Sequence, residues 1–142
     1  MGILVQKYGG SSVADALKIA AVAQRVVDAR AAGNQIAVVV SAMGNATDQL
    51  IALAQSVTST PELRELDLLL STGEIVSSTL MAMALREIGV PSISLGGAQA
   101  GIRTDMIHGA ASIMHLDPAR IRRELDDGKV VIVAGFQGIT DD

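Results

Sequence analysis

The sequence predicts an α/β protein with a mostly parallel open sheet sandwiched between helices. Three observations carry this expectation. Four short runs rich in β-branched residues read as buried strands: ILVQKY (3–8), IAVVVS (36–41), PSISL (91–95) and VVIVAGF (130–136). Longer segments with helical spacing lie between them. The regular alternation of the two kinds is the pattern of strands joined by crossover helices, which build parallel sheets.

After the first strand, ADALKIAAVAQRVVDARAAG (14–33) brings Leu17, Ala20, Ala21, Val27 and Ala31 near one stripe. Lys18, Arg25, Asp28 and Arg30 form a solvated side, and Gly33-Asn34 is a helix stop. DQLIALAQSV (48–57) predicts a second helix, ended by TSTP. ELRELDLLLS (62–71) and GEIVSSTLMAMALREIG (73–89) read as a helical pair, with Gly73 either separating them or breaking a longer helix. GIRTDMIHGAASIMHLD (101–117) has room for a loop and one or two short strands. PARIRRELDDG (118–128) opens with Pro118 at a first helical position behind Asp117 and closes at Gly128. The last strand is followed by a turn, where a further covering helix is expected in such a fold, so the sequence reads as truncated.

Composition narrows the function classes. At 142 residues the chain fits one domain or part of a larger one. A hydrophobic share of 49% against 18% charged residues supports a packed core. Tyr8 and Phe136 are the only aromatic residues, so the core is built from aliphatic side chains, and Met81, Met83, Met106 and Met114 are expected to fill it. Stacking platforms for nucleic acid are missing, and a net charge of -4 argues against a phosphate-backbone footprint. The lack of Cys removes disulfides and thiolate metal sites and suits a reducing cytoplasm. The start MGILVQKYGG has too short an apolar run for a signal peptide, and Gln6 stands where a myristoylation pattern wants Ser or Thr. No apolar run approaches the ~20 residues that span a bilayer. A soluble cytoplasmic protein is expected, with no nucleic-acid or membrane partner.

Three stretches could carry chemistry. In KYGGSS (7–12) a strand passes through Gly9 and Gly10 into a helix, an arrangement that presents backbone N–H groups to an anion. The two glycines would permit close approach and positive φ, Lys7 would add a point charge, and Ser12 with Asp15 fits a capping-box-like start. A plain glycine turn with a surface Lys7 remains open on these residues. Neither the Walker A nor the dinucleotide glycine pattern is present. VVVSAMGNATDQL (38–50) repeats the geometry, with Ser41, Gly44, Asn45 and Thr47 at the carboxyl end of a strand, where open sheets bind ligands. A Gly-Asn turn with Thr47 or Asp48 as helix cap is the alternative. In LLLSTGE (68–74), Glu74 either meets a substrate ammonium group or favours the N-terminus of a following helix. Arg103, Asp105 and His108 read as a solvated loop. With His115 the histidines lack zinc-site spacing, so no metal ligand set is expected.

Taken together, VQKYGGSSVAD, VVVSAMGNATDQL, RELDLLLSTGE, AQAGIRTD and VVIVAGFQGITDD closely resemble, in order and separation, the start of the aspartate kinases of the amino acid kinase family. The likeness covers the entire chain. It implies the amino acid kinase fold and ATP-dependent phosphorylation of the L-aspartate side-chain carboxylate to 4-phospho-L-aspartate, the first step toward lysine, threonine and methionine. It implies that Lys7 stabilises charge on the transferred phosphoryl group. Gly9, Gly10 and Ser11 would border the ATP phosphates with Ser41 nearby, and Thr47 and Glu74 would contact aspartate. Mg²⁺ would accompany ATP. Phosphoryl transfer asks chiefly for positioning and electrostatic stabilisation, so no nucleophilic side chain is required.

Two positions depart from the family pattern. Ser11 stands where many relatives carry Thr, and Ile75 replaces a polar or basic residue after the glutamate. The resemblance also implies that residues 1–142 are the N-terminal portion of a catalytic domain without a regulatory domain. An Arg-Gly-Gly-Ser-Asp segment and the adenine-binding strands that the family carries are absent from this sequence. Homo-oligomerisation, or completion by a missing C-terminal segment, is expected. The alternatives are a non-enzymatic fragment or interaction subunit, and a sister kinase for glutamate, acetylglutamate or uridylate.

Overall fold

The computed structural model describes residues 1–140. Its centre is a four-stranded parallel sheet of β1 (Ile3–Tyr8), β2 (Gln35–Val40), β3 (Ser92–Leu95) and β6 (Val130–Ala134), in the order β1-β2-β6-β3. The helices are α1 (Ala16–Ala31), α2 (Ala46–Val57), α3 (Leu63–Glu87) and α4 (Ala119–Asp126). Between β3 and α4, where a loop and one or two short strands are expected, lies the antiparallel pair β4 (Ile102–Thr104) and β5 (Ile113–Leu116). The α/β class and the parallel sheet are as the alternation of segments predicts.

Register explains the two cores. Ile36, Val38, Val40, Val130 and Ile132 point to one face, where Val22 and Val26 of α1 and Met81 and Leu85 of α3 cover them. Val131, Val133 and Leu95 point to the other, under Leu125 and Ile121 of α4. β6 lies inside the sheet with both faces covered, so all five of its residues are buried, and its sequence is a continuous apolar run. β1 opens on a similar apolar run, Ile3 to Val5, but is an edge strand. Ile3, Leu4 and Val5 remain 48%, 39% and 63% exposed, contrary to the buried strand expected at 3–8.

Three other expectations change. The buried stripe of α1 is Ile19, Val22, Ala23 and Val26, whereas Leu17 is 84% exposed and Ala20, Ala21 and Ala31 face solvent. The stripe around Ile19 carries the branched side chains and removes more apolar surface from water than one made mostly of alanine. Segments 62–71 and 73–89 form one continuous 25-residue helix, α3, with Gly73 inside it. Of the methionines expected in the core only Met81 is buried; Met83, Met106 and Met114 are exposed on α3, the β4–β5 loop and β5.

By length and composition α3 would suffice to cross a membrane, which the apolar runs of the sequence did not suggest. Its inner face nevertheless buries Glu74, Ser77 and Ser78 against the protein, and Met81 and Leu85 join the sheet core. That is the packing of a core helix. Crossing the carboxyl ends of β2 and β6, it brings a carboxylate to the strand-end turns.

Candidate active site

β1 ends at Tyr8. Gly9 is extended (φ -74°, ψ 170°), and Gly10–Val13 form a 3₁₀ helix before α1 begins. The cap of α1 is Asp15, whose carboxylate accepts the Lys18 N–H at 2.8 Å, and not Ser12 as expected. Ser12 is inside the 3₁₀ turn, its N–H donating to the Gly9 carbonyl at 3.0 Å. Because a carboxylate already occupies the N-terminus of α1, the element available to an anion is the 3₁₀ turn in front of it.

Neither Gly9 nor Gly10 takes positive φ, so the expected reason for them is replaced by two others. A Cβ on Gly10 would stand 2.8 Å from the Ala42 carbonyl and 3.0 Å from the Gly44 carbonyl, so only glycine allows the first turn to press against the second. A Cβ on Gly9 would meet nothing within 4 Å, so open space lies in front of this turn. Lys7 pairs in register with Val39 and its side chain is exposed. Among the described residues no hydrogen bond or ion pair engages its ammonium. Ser11 is exposed at the same turn.

The second turn is laced to the first. Ser41 donates its N–H to the Tyr8 carbonyl at 3.1 Å, and Gly44 donates to the Gly10 carbonyl at 2.9 Å. Gly44 has φ +52°, the left-handed conformation that favours glycine. Asn45 stands at the cap position of α2, without a side-chain cap bond, rather than Thr47 or Asp48. Thr47 is half-buried in the first turn of α2, and its hydroxyl is not spent on capping.

Glu74 comes from α3 and is 8% exposed. It lies in the middle of a continuous helix, so a role at a helix N-terminus is ruled out. The backbone N–H groups of Ala42 and of Glu74 itself face its carboxylate, and among the described residues no cation pairs with it. Burial pushes the carboxyl above the usual carboxylate range, and the two neighbouring backbone N–H groups pull it part of the way back. Ser77, one turn further on, donates its hydroxyl to the Ser41 carbonyl at 2.7 Å and ties α3 to the end of β2. Nothing in the sequence pattern singled out Ser77 or Ala42; their only signal was small size where a helix crosses a strand end.

Lys7, Gly9, Gly10, Ser11, Ser41, Thr47 and Glu74 thus gather around the carboxyl ends of β1 and β2, the crevice position for ligands of open sheets. An exposed ammonium and a glycine-lined turn suit a phosphate, and a buried carboxylate without a cation suits an ammonium group. Arg103, Asp105 and His108 stay outside this group, on β4 and the loop after it, where His108 lies 3.5 Å from Asp67 of α3. Among the described residues, no three His, Asp or Glu side chains gather as a metal cluster. Among the described residues the crevice therefore offers no carboxylate cage for Mg²⁺.

The family model described as "Amino acid kinase family" matches residues 2–142. An aspartokinase of Geobacillus stearothermophilus is 55% identical over 99% of this chain, and one of Mycolicibacterium smegmatis is 51% identical over 100%. The chain spans 35% and 34% of those two proteins, about a third of their length. A crystal structure of aspartate kinase from Synechocystis superposes with a TM-score of 0.84 at 51% identity, covering 98% of this chain and 22% of that one. Aspartokinase III of E. coli, in complex with aspartate and ADP, superposes with a TM-score of 0.81 at 25% identity, covering 98% of this chain and 42% of its own.

Proposed function

The chain belongs to the amino acid kinase family, and from that premise we propose that it supplies part of the site for ATP-dependent phosphorylation of L-aspartate. In the reaction, a side-chain carboxylate oxygen of aspartate attacks the γ-phosphorus of ATP. The bond to the β,γ-bridging oxygen breaks, giving ADP and 4-phospho-L-aspartate. Such an acyl phosphate is an activated carboxyl group, as a first step toward lysine, threonine and methionine requires.

Each assigned residue has a physical task. The Lys7 ammonium stabilises the charge spread over the transferring phosphoryl oxygens. Gly9, Gly10 and Ser11 line the phosphates, Gly9 through the open space before it and Gly10 through its close seat on Ala42. Ser41 borders the phosphates from the second turn, and the Thr47 hydroxyl contacts aspartate. Glu74 receives the substrate's α-ammonium. Among the described residues no three His, Asp or Glu side chains gather to hold Mg²⁺; magnesium in kinases is characteristically held largely by nucleotide phosphates and water. The observation that carries the proposal is Glu74: a buried carboxylate, mid-helix and without a cation, at the mouth of a lysine-glycine turn.

Further protein mass belongs to this proposal, as a second copy or a completing segment. The exposed apolar row of β1, Ile3 to Val5, and the chain's one-third share of its relatives' length support it. The test is ADP release by the full-length protein with L-aspartate, glutamate, N-acetylglutamate or uridylate offered singly, and trapping of the acyl phosphate with hydroxylamine. Aspartate-dependent ADP and a trapped hydroxamate are expected. Turnover with another acceptor instead, or with none, overturns the assignment.

A further inference from the structure

The chain leaves β6 through two residues under unusual constraint. Gly135 donates to the Val40 carbonyl at 2.8 Å, and a Cβ there would stand 2.8 Å from that same oxygen. Phe136 follows with φ +59°, the one non-glycine residue in the left-handed region among those described. A bulky side chain pays for that conformation in strain, and Phe136 is fully exposed, so burial returns nothing. The neighbouring contacts must hold it. On the far side, Ile139 and the edge of β4 exchange backbone bonds: Ile139 donates to Ile102 at 3.1 Å and accepts from Thr104 at 2.9 Å.

Gln137 is what this held segment presents to the site. Its side-chain N–H donates to the Ser71 carbonyl of α3 at 2.6 Å, and its Oε1 accepts the Gly97 N–H, from the turn after β3, at 3.3 Å. Gly97 is pressed against the same stretch, since a Cβ on it would stand 2.9 Å from the Gly138 nitrogen. One carboxamide therefore joins three elements. Ser71 and Glu74 are three residues apart in α3 and so are neighbours on one helix face. Ala42 packs against Gly73, the residue before Glu74, from the β2 side; Gln137 holds the same stretch of helix from the β6 side. Among the described residues no ion pair fixes the Glu74 carboxylate, so its depth in the crevice depends on where the helix backbone is held.

We infer that Gln137 is a positioning residue for recognition of the substrate ammonium, setting the place of Glu74 through the Ser71 carbonyl. This rests on the aspartate reading above. The carboxamide suits the task because it offers a donor and an acceptor at fixed separation; glutamate keeps only the acceptor and methionine keeps neither.

The test is steady-state kinetics of Gln137→Met and Gln137→Glu in the full-length protein, with melting temperature measured alongside. The KM for L-aspartate should rise about tenfold in both, roughly one hydrogen bond's worth, while the KM for ATP stays within about twofold. An unchanged aspartate KM overturns the inference. So does an equal rise in both KM values with a lowered melting temperature, because that is general loosening. A wild-type protein that neither binds L-aspartate by calorimetry nor phosphorylates it overturns the functional assignment, and this inference falls with it. Wild-type activity matched by both variants overturns the inference alone.

Discussion

Gly73 of α3 and Ala42 of the turn after β2 are packed so closely that a Cβ on Gly73 would stand 2.9 Å from the Ala42 Cβ. This contact sets how far α3 approaches the strand ends, and so where the next residue, Glu74, sits. Gly73→Ala gains about 1 kcal/mol of helix propensity but overpacks the contact at a cost of about 1–3 kcal/mol. Urea denaturation should show net destabilisation, and the double variant with Ala42→Gly should recover part of it. A more stable single variant would mean that α3 can move away freely.

Lys7 is exposed and unpaired among the described residues, so its removal should separate function from folding. Lys7→Ala in the full-length protein should lower turnover by about 10² or more, with stability unchanged to within about 0.5 kcal/mol. Near-normal turnover would sink the assigned role.

Glu74 should make both stability and binding depend on pH. Its folded pKa is raised by burial, so its stabilising contribution is fully present below the unfolded carboxyl pKa. That contribution is lost as pH rises through the raised folded value. Denaturation of Glu74→Gln across the mildly acidic range should lack this loss. Aspartate affinity should move the opposite way, weakening as the pH falls through the same value, because the ammonium needs the charged carboxylate. A wild-type affinity that is flat across that range would remove Glu74 from the site.

The buried face of α1 can be distinguished by two substitutions. Ile19 is 4% exposed and Leu17 is 84% exposed. Ile19→Ala should cost about 2–5 kcal/mol, whereas Leu17→Ala should stay within about 0.5 kcal/mol. Equal losses in chemical denaturation would mean that Leu17 is covered in the assembled protein.

Much of the secondary structure was legible because strand and helix here differ in both period and length. β2 and β6 are short β-branched runs, β3 is a four-residue strand around Ile93, and the helices between them are longer and end at residues such as Gly33 and Gly128, both at positive φ. The candidate site was legible in its residue types, since a lysine before two glycines and a carboxylate after one are local features. The reasons for those residues were not legible. Gly10 is required by the Ala42 and Gly44 carbonyls, which are more than thirty positions away. Gly73 was expected either to separate two helices or to break a longer one, and a single helix runs through it.

What the sequence determined by itself was local: the kind and order of the elements, the sharp turns after β1 and β2, and the family likeness those turns carry. The tertiary structure decided which apolar run became the half-exposed edge β1 and which the buried centre β6. It also decided which stripe of α1 faces the sheet, and that Glu74 lies buried without a cation beside Ala42. These depend on which neighbours cover a residue, and a period of two or of 3.6 residues does not say what stands opposite. Gln137 is the clearest case: an ordinary polar residue in a turn, until folding brings Ser71 and Gly97 to the two ends of its carboxamide.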